Sequence, residues 1–287
     1  MNFDLYHDPW KNHPYYLTDG NSVDWKGNIG VGDILFGLNA VHMLTHLARK
    51  KRPLEQMIMN VYWEHKEDHL HHFEDPETII ERCDYLHSFY HDVDAVKVNH
   101  IFEHRDEELW KIRHRGFQRV AGPTAVLDGI PSWMFRQDSW CDKPIDNKVV
   151  FWRPFSNAET AASWKRTFTE KDWERIIDTL KDKGFEPIEL TYRTPVREVF
   201  YHIKHCRFAI FYDGMWQYVA RNFMKPVISL GNAGITQTHS PQGIFFQRGD
   251  DPKNCLWDYL DKLPDNLNHM DRRLNQYKNV ILDELNV

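Results

Sequence analysis

The chain has 287 residues, 41% of them apolar, and a formal net charge of −6. That length builds either one large core or two domains of ordinary size, and two lobes are expected. The negative charge excludes a global positive field that would draw the chain to nucleic acid or anionic membrane, so any such contact has to be local. The 4 cysteines, Cys83, Cys141, Cys206 and Cys255, form no CxxC pair, a spacing that suits reduced thiols in a cytoplasm. Met1–Asp8 lacks a basic segment leading into an apolar one, and no window approaches the roughly 18 apolar residues of a membrane span. A soluble, unprocessed, cytoplasmic protein is expected.

In chain order, the first half predicts a short strand near Phe3–Tyr6, then an aromatic and polar loop to Lys26. The run Gly27-Asn28-Ile29-Gly30-Val31-Gly32-Asp33 follows, and a helix begins at Asp33. Ile34, Leu38, Val41 and Leu44 give that helix one buried face. Glycines let backbone approach a ligand closely, and the helix start exposes N–H groups that favour an anion or an acidic cap. The plain alternative is a capped core helix, with Asp33 neutralising the dipole. A strand over Met57–Trp63, a helix over Pro76–Cys83 and a strand over Ala95–Phe102 come next. Lys111–Arg119 concentrates positive charge, and the proline-containing stretch Asp138–Asp146 reads as a linker. The boundary is therefore drawn at Asp146, giving lobes of residues 1–146 and 147–287.

The second half predicts a strand Val149–Phe155, a helix Glu170–Lys183 stopped by Gly184, and a strand Pro187–Tyr192. A helix Val196–Cys206, a strand Phe208–Tyr212, a turn at Asp213-Gly214, a helix Trp216–Phe223 and a strand Pro226–Leu230 repeat that order. Strands alternating with helices imply an α/β fold with parallel sheet, whose ligands sit beyond the carboxyl ends of the strands. The final helices, Pro252–Leu263 and Asp265–Leu285, are expected to pack across the outside or return to the first lobe.

Three motifs in this order resemble the two-lobed nucleotide-sugar glycosyltransferases called GT-B, and within them the bacterial heptosyltransferase branch. Gly30-Val31-Gly32-Asp33-Ile34-Leu35, followed by Leu38 and Ala40, is similar to that branch's Gly-x-Gly-Asp-x-Leu opening helix. Ser163-Trp164-Lys165-Arg166 before Trp173 is similar to its basic-then-aromatic donor loop, and Tyr212-Asp213-Gly214-Met215 through Ala220, with Lys225-Pro226-Val227, to its Asp-Thr-Gly helix and Lys-Pro-Val strand. The chain departs from that pattern in the long loop between Phe3–Tyr6 and the glycines, and in the acid standing directly before Gly214. The resemblance implies two Rossmann-like lobes with a donor and acceptor cleft between them. It also implies a metal-independent, inverting transfer of a hexose or pentose.

Such a transfer needs a base for the acceptor hydroxyl and positive charge or N–H groups for the departing diphosphate. The resemblance puts the base at Asp33 and the donor, a nucleotide sugar expected to be UDP-linked, against Arg153, Ser156, Lys165, Arg166, Asp213, Gly214, Met215 and Gln217. Gly30 and Gly32, with the aromatic residues Trp10, Tyr15, Tyr16 and Trp25, form the acceptor side, since aromatic faces stack on sugars or flipped bases. For Lys165 and Arg166 the bland reading is a solvated charged loop. His65, His69 and His72 share a helical spacing, but Lys66 stands where a HExxH zinc helix needs glutamate, so no metal is expected. Asp92-Val93-Asp94 has the Asp-x-Asp spelling of metal-dependent transferases, and it is read as a chance loop.

The size of the chain, its aromatic and histidine content and its first-lobe loop also resemble the DNA-modifying glycosyltransferases of T-even-type bacteriophages. That resemblance implies hydroxymethylcytosine or glucosylated hydroxymethylcytosine in duplex DNA as acceptor and a host cytoplasm as the location. Lys50-Lys51-Arg52 and Arg113–Arg119 would then hold phosphates, with salt-sensitive activity. The alternatives are transfer to a bacterial surface glycan or lipid-linked sugar, an epimerase of the same fold, and a sugar-nucleotide binder without turnover.

Overall fold

The computed structural model describes residues 22–26, 38, 41–42, 45, 55–64, 76–103, 136–140, 147–152, 168–191, 194–211, 215–232, 243–246 and 252–285. The chain divides into two compact units, Met1–Ile130 and Pro131–Val287. The expected boundary at Asp146 ends a run, 141–146, that lies outside the described residues.

In the first unit, strands β1 (Ser22–Lys26), β2 (Met57–Glu64) and β3 (Val96–Glu103) form a sheet in the order β1-β2-β3. Both pairings are parallel, with Trp25 opposite Val61 and Asn60 opposite Asn99. Met57, Met59 and Val61 alternate inward along β2, the period of two that a strand with one covered face requires. On the other face the Asn99 side-chain amide donates to the Asn60 side-chain oxygen Oδ1 at 3.1 Å. Helix α1 (Pro76–His87) links β2 to β3 and buries Cys83 and Leu86.

The segment up to Lys26 was expected to be loop, and its last five residues are strand β1. The reason lies in Val23 and Trp25, which alternate with Asp24 and Lys26; a run this short has weak propensity, and pairing along β2 supplies the rest. Gly27 follows β1 directly in sequence. The correction takes Trp25 out of a loop and puts it in a strand. After the glycines, Leu38, Val41, His42 and Thr45 are buried at helical spacing, so the buried face carries polar groups as well as Leu38 and Val41. The expected strand Phe3–Tyr6 lies outside the described residues.

The second unit has a five-stranded, wholly parallel sheet in the order β5-β4-β6-β7-β8, formed by β4 (Lys148–Phe151), β5 (Glu186–Glu189), β6 (Phe208–Phe211), β7 (Val227–Asn232) and β8 (Gly243–Phe246). All four residues of β6 are buried, as a strand covered on both faces demands. One face, with Val149, Phe151, Phe208, Ile210, Ile228 and Leu230, packs on helix α2 (Glu170–Asp182) and on helices α5 (Pro252–Asp261) and α6 (Leu263–Leu285). Alternation turns Val150, Ala209 and Phe211 to the opposite face, where helices α3 (Val196–His205) and α4 (Met215–Asn222) lie.

Local signals explain where these elements stop. Thr169 and Asp172 close a capping box at the start of α2, and Gly184 ends it at a φ of 80°, a left-handed conformation that favours glycine. The terminal helices are core elements of this unit, since Leu256, Leu260, Leu263 and Leu267 enter its hydrophobic cluster. Arg207, just before β6, grips Asp271 of α6 through two hydrogen bonds of 3.1 and 2.6 Å. No element was expected at β8. Among the described residues no helix is long and apolar enough to cross a membrane.

Candidate functional site

In the second unit the chain runs from β4 outward to β5 and then returns past β4 to β6. The helices on either side of that reversal diverge, so the carboxyl ends of β4 and β6 flank the crevice where open parallel sheets bind ligands. Trp152 follows β4, and its backbone N–H donates to the Ile210 carbonyl of β6 at 3.4 Å. Arg153 is the next residue in sequence. Across the reversal, Tyr212-Asp213-Gly214 leads from β6 into α4, which opens at Met215.

The helix starts on this side differ in charge. The first turn of α2 holds Glu170 and Asp172, and Thr169 accepts from the Asp172 backbone N–H at 3.3 Å while its own N–H donates to the Asp172 carboxylate at 2.7 Å. Those donors are spent on the protein's own acid, which repels a further anion. The first turn of α3 likewise carries Glu198. The first turn of α4 contains no acid, and the nearest one in sequence is Asp213, two residues before Met215.

Two of the residues expected on the donor side are described here. Met215 is part-buried at the start of α4, and Gln217, 1% exposed, is enclosed within its first turn. Arg153, Ser156, Lys165, Arg166, Asp213 and Gly214 lie outside the described residues, as do Asp33, Gly30, Gly32, Trp10, Tyr15 and Tyr16. Trp25 lies on β1. The sequence reading missed the Trp152–Trp216 pair, whose rings are 5.6 Å apart across the reversal. A signal existed, because a bulky aromatic stood between an apolar strand and Arg153.

The first unit contains a second polar cluster. His42, 1% exposed, stacks on Tyr90 with ring centroids 4.2 Å apart and planes 3° from parallel. His42 Nε2 lies 3.4 Å from His87 Nδ1, and His87 Nε2 lies 2.9 Å from the Val96 carbonyl. That carbonyl has to accept, which puts the proton of His87 on Nε2 and makes Nδ1 the acceptor for His42 Nε2–H. Burial holds the His42 pKa well below its ordinary value, and the His87 ring lowers it further. Burial also lowers His87, against the Val96 hydrogen bond and Asp84, which favour its charged form. The pair is a packed, neutral core element. Among the described residues, no group of three or more His, Cys, Asp or Glu side chains is gathered to hold a metal, and His65–His72 lies outside them.

Several solved structures resemble the chain in fold. A glycosyl transferase of family 9 from Veillonella parvula DSM 2008 is 10% identical, with a TM-score of 0.48 over 92% of this chain and 97% of that one. The E. coli heptosyltransferase WaaC with ADP is 11% identical, with a TM-score of 0.46 over 84% of this chain and 99% of that one. The iron-containing dodecameric glycosyltransferase TibC from enterotoxigenic E. coli H10407 is 11% identical, with a TM-score of 0.47 over 92% of this chain and 76% of that one. No family model and no curated protein matches the sequence.

Proposed function

We propose that the chain is a nucleotide-sugar-dependent glycosyltransferase, with residues 1–146 on the acceptor side and 147–287 holding the donor. One observation carries the reading: the reversal in strand order falls between β4 and β6, and the residues singled out as phosphate and donor contacts follow those two strands in sequence. The direct succession of β1 and the glycine run supports the acceptor half.

In this reading Asp33 takes the proton of the acceptor hydroxyl as its oxygen attacks the anomeric carbon. The bond from that carbon to the diphosphate oxygen breaks, and attack from the opposite face inverts the centre. Arg153, Lys165, Arg166 and the first N–H groups of α4 receive the charge that develops on the leaving diphosphate. Asp213 orients ribose or sugar hydroxyls, Ser156, Met215 and Gln217 complete the donor side, and no metal takes part. The lead donor is UDP-linked. The lead acceptor is hydroxymethylcytosine, bare or already glucosylated, in phage DNA; the alternative is a surface glycan or lipid-linked sugar.

The test is mass spectrometry of nucleosides from hydroxymethylcytosine DNA, plain and glucosylated, after incubation with a panel of nucleotide sugars. A pentose or hexose added to the base is the expected result. Diphosphate release without addition to DNA would sink the DNA acceptor and move the search to glycans. No release and no nucleotide binding under any condition would overturn the transferase itself.

A further inference from the structure

We infer that His42 and His87 form an acid-sensitive latch that fixes the helix carrying Leu38, Val41, His42 and Thr45 to α1 and β3, and that through this helix they act as positioning residues for the proposed base Asp33. The link to Asp33 rests on the proposed function, whereas the latch stands on the first unit alone. Leu38 and Val41 bury apolar surface, which attracts without direction. The Thr45 hydroxyl donates to the Val41 carbonyl of its own helix at 2.8 Å. Of these four residues, His42 makes the directional contact to another element. Its Nε2–H donates to His87 Nδ1 of α1 at 3.4 Å, and His87 Nε2–H donates onward to the Val96 carbonyl of β3 at 2.9 Å.

Two hydrogen bonds in series therefore run from helix to helix to strand. Apolar packing tolerates small slides and turns of one helix on another, whereas a hydrogen bond weakens steeply as its angle departs from the ideal, so the series sets the register of the helix. An imidazole is costly at this position: His42 is buried, stacks flat on Tyr90, and leaves Nδ1 without a partner. A phenylalanine would give the same stack without the orphaned atom, so what the imidazole adds is the Nε2–H. The sequence pattern starts this helix at Asp33, and a base has to stay within hydrogen-bond reach of the hydroxyl it serves. A proton on His87 Nδ1 removes the acceptor and breaks the series. Toward the charged rings act Asp84 of α1, Asp92 and Asp94 ahead of β3, and the Val93 and Val96 backbone. Against them act burial, the largest effect on both rings, and, on His42, the rings of His87 and His91. Tyr90 stays a neutral phenol, its proton held by burial.

Native-state hydrogen exchange of the full chain at pH 7.5 and 5.5, corrected for intrinsic exchange rates, tests the latch with His87→Gln and His87→Leu. Glutamine offers a donor and an acceptor as neutral histidine does and does not titrate, leucine offers neither, and a melting temperature for each verifies the fold. Acid should raise exchange in residues 38–45 and α1 ahead of β2. His87→Gln should shrink that rise by up to about tenfold, the effect of one ring with an unfolded pKa near 6.5. A rise equal in wild type and His87→Gln, or equal across residues 38–45 and β2, would overturn the latch. In transfer assays His87→Leu should lower kcat by about tenfold at unchanged donor affinity, and His87→Gln should restore it and lessen its fall in acid. Wild-type kcat in His87→Leu would overturn the positioning role. A wild type that transfers nothing, with the exchange pattern as expected, would strike the proposed function and the role toward Asp33 while leaving the latch standing.

Discussion

Acidification should destabilise the first unit through His42 and His87. Both rings are neutral in the fold: His42 donates to His87, His87 donates to Val96, and His42 Nδ1 has no hydrogen-bond partner that a new proton could reach. Protonating His87 would set two N–H groups against each other across 3.4 Å. The groups around the pair, Asp84, His91, Asp92 and Asp94, do not cancel the effect of burial, and both pKa values are lowered. A histidine with a lowered folded pKa contributes its full stability above the unfolded value near 6.5 and loses it as pH falls below that value. Between pH 7.5 and 5.5 the loss is at most about 1.4 kcal/mol for one such ring and about 2.7 kcal/mol for the pair. Urea unfolding of the wild type and His42→Phe at both pH values measures it. The phenylalanine keeps the stack on Tyr90 and removes one titrating group, while the carboxylates common to both chains cancel in the comparison. The acid-induced loss should be smaller in the variant by up to about 1.4 kcal/mol, whatever the variant's absolute stability. An acid-induced loss identical in the two proteins would refute the neutral-pair argument.

Asp33→Ala should abolish sugar transfer and leave nucleotide-sugar affinity within about twofold by calorimetry; full transfer in the variant would remove Asp33 as the base. Lys165→Ala should weaken donor binding by about tenfold, the effect of one charge-assisted contact to phosphate, and an unchanged dissociation constant would return Lys165 to the solvated surface. Thr169→Ala, which dismantles the capping box of α2, should lower stability by about 1 kcal/mol in urea unfolding with no change in nucleotide affinity.

The helices and strands that the sequence displayed well are those with a strong local signal. Phe208–Phe211 is an unbroken apolar run, and α2 carries Trp173, Ile176 and Leu180 between a threonine cap and a glycine stop. β1 and β8 were not read as strands; each is an edge strand whose pairing partner lies distant in sequence. The burial of His42 was hidden for another reason. A histidine on a helix reads as polar until Tyr90 and His87, brought by a different segment, enclose it. The proposed donor residues rest on motifs, and what the sequence did not display at the start of α2 is the pairing of the Asp172 carboxylate with the Thr169 N–H.

The position of α5 and α6 in the chain has a consequence for synthesis on the ribosome. The sheet face that begins with Val149 is covered in part by Leu256, Leu260, Leu263 and Leu267, which emerge long after the strands they shelter. In the first unit α1 lies between β2 and β3, the strands it joins, so it can close while the rest is still being made. The second unit has to wait with one apolar face covered only in part, by α2, a natural client surface for chaperones, and a nascent chain arrested before Leu256 would present the rest of that face to its neighbours.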